Sequence, residues 1–368
     1  MIFDWIDLFR QGMLSLAMNF PRSENLGVIA CPGGEQFASL MIPHMRKQYL
    51  KRYERLADDL SQKYATSRED IIKRINFASD VNAVGPSVGK AVESFVPPNF
   101  KVPVRFTRFA NGEFKAEILS SVRGMDLYIV QDVENHAPLK FYHLDTEYSL
   151  SVSDHLMCIF VTVDAALQAG AKSITLVIPT YPYARQHERK GREALSAAWF
   201  GRTCEFSGVS RIITLDIHSR AIANCFSKTS LENLHASYQI LLRLKDHVDI
   251  KDPNLVVVSP DTGAVDRNKF YAGNLKKPLA LLYKERDYSL VTKDANNSNI
   301  SICRLLGDVK GKTVFMADDM LGTGGTLIKA MQVLREMGAK KIICAVSLPF
   351  FTGTAIEDFD RAYTSGLF

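Results

Sequence analysis

Asp318 and Asp319 stand side by side, followed closely by the small-residue run Gly322-Thr323-Gly324-Gly325-Thr326. An apolar stretch, residues 313–317, precedes the two carboxylates, and a helical pattern runs from Leu327 to Met337. Glycines let backbone N–H groups crowd around an anion, threonine hydroxyls add donors, and a helix N-terminus adds its dipole. The segment reads as a phosphate cradle at the end of a buried strand. Paired carboxylates would repel a phosphate, so they suit sugar hydroxyls or the waters of a bound Mg²⁺. Together these features point to a phosphorylated sugar.

Four further segments have chemistry-bearing residues after short apolar runs. Ser259-Pro260-Asp261-Thr262-Gly263-Ala264 places a carboxylate before a glycine turn, with Arg267 on the following helix. It reads either as an ordinary βα turn or as a metal–diphosphate site. Tyr283-Lys284-Glu285-Arg286 offers two cations, which beside a phosphate cradle would neutralise charge during phosphoryl transfer and elsewhere would be a solvated loop. The polar stretch that follows, to Asn299, has the composition of a closing lid. Tyr183-Ala184-Arg185-Gln186-His187-Glu188 is a wet charged surface or a phosphate clasp, and Leu215-Asp216-Ile217-His218 sets a histidine at a strand end. Phe109-Ala110-Asn111-Gly112-Glu113 fits a hairpin turn, whose Phe would stack on a base only in a suitable context.

The elements that must position these residues are legible as alternation. Strands are expected at 26–31, 126–131, 173–178, 211–217, 254–259, 279–283, 313–317 and 341–347, with helices between many of them, including 155–169 and 235–247. Near-continuous Val/Ile/Leu runs separated by helices argue for an α/β protein with mainly parallel sheets flanked by helices. Ligands bind such sheets beyond the carboxyl ends of the strands, where the acidic and glycine-rich segments fall. The segments 169–177 and 337–345 look alike, each with a helix-ending Gly before a strand. Two related domains are expected, 26–230 and 231–368. Residues 1–25 read as an N-terminal amphipathic helical extension, because Asp4, Asp7 and Arg10 interrupt its apolar run. A helical insertion is expected near 45–100, where Tyr49, Tyr53, Leu56, Leu60 and Tyr64 recur at helical spacing.

Bulk composition excludes several classes. Apolar residues make up 46% and charged residues 23% of the 368, with a formal net charge of +5. That charge suits anionic substrates but not nucleic acid, and acids interrupt the basic run at 46–55. Six scattered cysteines without a C-x-x-C pair read as free thiols rather than a zinc site. No run approaches about 20 apolar residues, so no membrane span is expected, and the reading is a cytoplasmic protein.

In order, these segments resemble the ribose-phosphate diphosphokinases (phosphoribosyl diphosphate synthetases). The resemblance runs from about Arg105 to Phe359 and includes Val122-Arg123-Gly124, Ile178-Pro179 and Gly307-Asp308-Val309 with the segments above. It implies two phosphoribosyltransferase-type domains and transfer of the diphosphoryl group of ATP to O1 of ribose 5-phosphate, giving 5-phosphoribosyl 1-diphosphate and AMP. It further implies that Thr323, Gly324, Gly325 and Thr326 hold the 5-phosphate and Asp318 and Asp319 the ribose hydroxyls. By the same resemblance His218 and Asp261 bind Mg²⁺, and Arg185 and Gln186 contact ATP. Lys284 and Arg286 stabilise the transferring group. Phe109, Asn111 and Glu113 receive adenine from a neighbouring subunit, which implies a homo-oligomer, commonly a hexamer.

Departures from the family pattern are as informative. Gly322 stands where a third acid is usual, His187 replaces an acid, Ala194 replaces a proline, and the segment after Arg286 is lengthened. The family pattern also continues with a last strand and helix beyond Phe359. Gly322, the altered lid and the insertion raise the alternative of a catalytically weak or inactive regulatory relative. A type I phosphoribosyltransferase shares the Asp-Asp and Thr-Gly-Gly-Thr loop, but would need neither the Arg-Gln nor the Lys-Glu-Arg segment.

Overall fold

The computed structural model describes residues 26–70, 99–142, 144–286 and 300–368, with backbone alone at 284–286 and 300–303. The expected N-terminal extension, much of the insertion and the lid segment 287–299 lie outside the described residues. The chain divides into two compact units, Met1–Leu234 and His235–Phe368. No described helix is long and apolar enough to cross a membrane.

The first unit is built on five parallel strands in the order β1 (Leu26–Ala30), β4 (Asp126–Val130), β7 (Ser173–Val177), β8 (Arg211–Leu215) and β9 (Ser230–Leu234). Ile29, Leu127, Ile129, Leu176 and Ile212 are fully buried, as a parallel sheet covered by helices requires. Helix α1 (Glu35–Tyr64) lays Ala38, Met41 and Met45 against Val28, Tyr128 and Val130 on one face. It begins ten residues before the expected insertion, because the apolar stripe that docks on the sheet starts at Ala38. Between β1 and β4 lies a hairpin, β2 (Val104–Arg108) and β3 (Phe114–Ile118). A small ribbon follows β4, formed by β5 (Leu139–Lys140) and β6 (Glu147–Tyr148).

Helix α2 (Val152–Gln168) starts three residues before the sequence expectation. Its capping box explains this: the Ser151 hydroxyl accepts from the Asp154 N–H, and the Asp154 carboxylate accepts from the Ser151 N–H at 2.9 Å. It ends at Gly170, whose φ is +84°, just as Gly338 at φ +91° follows the corresponding helix of the second unit. Helix α3 (Ser196–Phe206) joins β7 to β8.

In the second unit, α4 (Ser237–Leu244) leads to a sheet ordered β12 (Ile300–Leu306), β11 (Leu279–Arg286), β10 (Leu255–Ser259), β13 (Thr313–Leu321) and β14 (Lys341–Pro349). All neighbours are parallel except the antiparallel β11–β12 pair. Helix α5 (Val265–Leu275) follows β10, α6 (Gly325–Glu336) follows β13, and α7 (Ala355–Thr364) follows β14. The core gathers Val256, Val258, Leu282, Val314 and Met316 from the strands with Leu327, Met331 and Leu334 from α6. From β10 the chain goes to β11 on one side and then to β13 on the other. The strand order therefore reverses between β10 and β13, the crevice where open α/β sheets take ligands.

Candidate active site

Both β10 and β13 deliver acids to that crevice. Past Ser259, the Ser259 hydroxyl donates to the Asp261 carbonyl at 2.7 Å, and Asp261 Oδ1 accepts from the Ala264 N–H at 3.0 Å. The carboxylate is thus fixed at the start of α5. Strand β13 runs four residues beyond the expected end at residue 317, because β14 pairs with it through Asp318↔Val346 and Leu321↔Pro349. Asp318 and Asp319 consequently sit within the strand and half-buried, not beyond it. Asp318 Oδ1 accepts from the Asp319 N–H, and Asp319 Oδ1 from the Met320 N–H. Burial, together with the charges of Asp319 and Asp261, pushes the Asp318 carboxyl up to about 7.

The glycine loop follows directly. Helix α6 begins at Gly325, two residues earlier than expected, and no side chain caps it. Its first-turn donors and positive dipole end therefore face the loop, the arrangement that binds phosphate. Gly324 has φ +73°, and a Cβ there would meet the Phe359 ring at 2.3 Å. Only glycine fits. Phe359 in turn packs on Phe351 with ring centroids 6.0 Å apart, and the Gly322 carbonyl accepts from the Thr352 N–H at 3.1 Å. The loop is held from beneath by the segment after β14.

One positioning residue escapes a motif search. Asn268, fully buried on α5, donates to the Ala317 carbonyl at 2.8 Å and accepts from the Ala317 N–H at 2.9 Å. It clamps the backbone immediately before Asp318. Its only sequence signal is an amide on the inward face of α5, beside the buried Tyr271 and Ala272.

Lys284 and Arg286 lie on β11 past the last pairing with β10, Ser259↔Leu281. The β11–β12 register shifts between Glu285 and Arg286, a bulge of the kind that accompanies functional strand ends.

The first unit carries the remaining candidates at adjacent strand ends. After β7 the chain runs beside β8, with the Ile178 N–H donating to Ile213 and the Leu215 N–H to Pro179. Arg185 and Gln186 are exposed, and His187 is half-buried. Tyr183 turns the chain in the left-handed region at φ +57°, and Asp216 does the same after β8 at φ +39°. Non-glycine residues in this region cost energy and concentrate at functional sites. His218 emerges exposed just beyond Asp216, and its ring lies 5.3 Å from that of His187.

The Phe109–Glu113 segment is the turn of the β2–β3 hairpin, with the Phe109 N–H donating to Glu113 at 2.8 Å and Gly112 at φ +94°. Asn111 Oδ1 accepts from the Glu113 N–H, so part of this side chain shapes the turn, while Phe109 is 45% exposed. The β5–β6 ribbon braces the hairpin through cations on aromatic faces, Arg105 on Tyr142 at 4.6 Å and Arg108 on Tyr148 at 4.3 Å.

Two units with mainly parallel sheets, one with a switch-point glycine loop beside paired carboxylates, define a phosphoribosyltransferase-type protein. Comparisons with known proteins narrow the class. A family described as the N-terminal domain of ribose phosphate pyrophosphokinase matches residues 98–208, and the phosphoribosyl transferase domain matches 229–365. The ribose-phosphate pyrophosphokinase of Bacillus subtilis is 33% identical over 257 residues, covering 70% of this chain and 73% of that protein. Its counterpart from Burkholderia pseudomallei is 34% identical over 281 residues, covering 75% of each. The crystal structure of phosphoribosylpyrophosphate synthetase from Mycobacterium smegmatis superposes with a TM-score of 0.62 at 26% identity, covering 91% of this chain and 85% of that one. The chain belongs to the ribose-phosphate pyrophosphokinase family of enzymes.

Proposed function

We propose that this protein transfers the diphosphoryl group of ATP to O1 of ribose 5-phosphate, releasing AMP, in the cytoplasm. The observation that carries the reading is the uncapped, glycine-led start of α6 beside Asp318 and Asp319 at the switch point. In this reading Thr323, Gly324, Gly325 and Thr326 hold the 5-phosphate. Asp318 and Asp319 accept hydrogen bonds from the ribose hydroxyls. Arg185 and Gln186 contact ATP, and Phe109, Asn111 and Glu113 receive the adenine of a neighbouring copy in a homo-oligomer, a hexamer by family resemblance.

The donor set fits a divalent cation. Asp261, Asp318 and Asp319 gather carboxylate oxygens in the second unit, where burial first, and then the neighbouring carboxylates, raise the Asp318 carboxyl. His218 in the first unit and Asp261 in the second are each proposed as a Mg²⁺ ligand, and Mg²⁺ would supply charge neutralisation for the ATP phosphates when bound. The ribose O1 attacks the β-phosphorus in line, the bond to the AMP oxygen breaks, and Lys284 and Arg286 neutralise the charge on the transferring group. Such a reaction asks the protein for positioning and electrostatics rather than covalent help.

The test is AMP release from ATP and Mg²⁺ on addition of ribose 5-phosphate, with a control lacking the sugar. Lys284→Ala is expected to lower turnover by at least about 10²-fold, as for loss of a preorganised transition-state donor. Unchanged turnover removes that role. A second reading rests on Gly322: with a glycine where a third acid is usual, the chain would be a regulatory relative. Tight ligand binding by pure protein without AMP at any Mg²⁺ concentration would favour it.

A further inference from the structure

The His187 and His218 rings lie 5.3 Å apart, centroid to centroid, with 65° between their planes. They reach this spacing from two neighbouring strand ends, after β7 and after β8. A ring nitrogen binds a first-row metal at about 2.0–2.1 Å, so two imidazoles sharing one cation have centroids roughly 4.5–5.3 Å apart. The observed separation matches the wide end of that range. His187 Nε2 sits 3.6 Å from Glu188 Oε1, an ion-pair distance longer than a hydrogen bond, so this carboxylate lies on the Nε2 side of the ring and not at its other nitrogen. That other nitrogen, Nδ1, is buried without a hydrogen-bond partner. A desolvated nitrogen with no partner costs free energy, which a cation would recover.

We infer that His187 is a second imidazole ligand beside His218, tuning the metal site of the first unit towards borderline cations such as Co²⁺ over Mg²⁺. The inference rests on His218 being metal-binding in the function proposed above. Imidazole suits Co²⁺, whereas carboxylate and water suit Mg²⁺, so the acid usual at position 187 would set the opposite preference. Among the described residues no three His, Cys, Asp or Glu side chains gather as a closed metal cage. Water or phosphate oxygens would complete the coordination, as they do for cations held by few protein ligands.

The test is metal binding by the full-length protein without nucleotide or sugar, with calorimetry for Co²⁺ and Mg²⁺ and the visible spectrum for Co²⁺. The readout is the ratio of Co²⁺ to Mg²⁺ affinity, because most sites favour Co²⁺ in absolute terms. His187→Asp is expected to lower that ratio at least tenfold, by the scale of losing one oriented ligand, about 10–100-fold. It should also change the Co²⁺ spectrum while retaining Mg²⁺, which reports an intact fold. His187→Asn, closer in shape, should weaken Co²⁺ as well, and His218→Ala should weaken both metals. A ratio within twofold of wild type in His187→Asp, with His218→Ala impaired, overturns the role of His187 and leaves the proposed function standing. Wild-type binding of both metals by His218→Ala overturns His218 as a ligand and the role of His187 with it, while AMP release still tests the proposed function separately.

Discussion

Gly324 is constrained twice over in the Gly322–Thr326 loop. Its positive φ costs a side-chain residue about 1–2 kcal/mol, and any Cβ would strike the Phe359 ring. Gly324→Ala is therefore expected to weaken ribose 5-phosphate at least tenfold in a calorimetric titration. Adding Phe359→Leu should restore part of that loss by making room. No recovery in the double variant would leave backbone conformation, not the ring, as the constraint. Asp318 poses a different question, because the fold holds its proton more tightly than the unfolded chain, where aspartate titrates near about 3.9. A raised carboxyl pKa destabilises the fold with rising pH: the penalty is absent below that unfolded value and complete above about 7. Ligand-free wild type should lose melting temperature between about pH 4 and 7 relative to Asp318→Asn. Parallel pH curves for the two proteins would show that the pair carries no such penalty.

At the scale of elements, the placement of Asp318 depends on how α5 meets β13. Asn268 satisfies both backbone groups of Ala317, so Asn268→Leu orphans a buried N–H and a buried C=O. Each orphaned group costs about 1–3 kcal/mol. Denaturant unfolding should register that loss, with ribose 5-phosphate affinity falling too, because Asp318 follows the clamped residue. Undiminished stability would mean that water replaces the amide. Element identity was largely legible beforehand. Fully buried strands such as β10 read as unbroken Val runs, and Gly170 and Gly338 marked the helix ends. Boundaries were less so. Helix α2 began at its Ser151–Asp154 capping box, and β13 ran on because β14 offered partners that no local pattern contains.

Each of the two units has its own mainly parallel sheet, and the candidate substrate segments divide between them. Arg185, Gln186 and His218 lie in the first, and the Gly322–Thr326 loop lies in the second. Binding energy stabilises the unit that supplies the contacts. Ribose 5-phosphate alone should slow hydrogen exchange across residues 318–328, while a non-hydrolysable ATP analogue with Mg²⁺ should slow it across residues 183–188. Protection by the sugar phosphate confined to the first unit would refute this assignment. Local chemistry by itself determined much of the protein: the Asp318–Thr326 cradle, the parallel-sheet class and the set of charged segments are written in residue type and short-range spacing. Tertiary structure alone decided that β10 and β13 flank the switch point and that Phe359 makes Gly324 obligatory. It also decided that Asn268 clamps Ala317 and that His187 meets His218. Those facts depend on which distant segments become neighbours, and that is set by burial and strand pairing across the whole sheet rather than by any window of sequence.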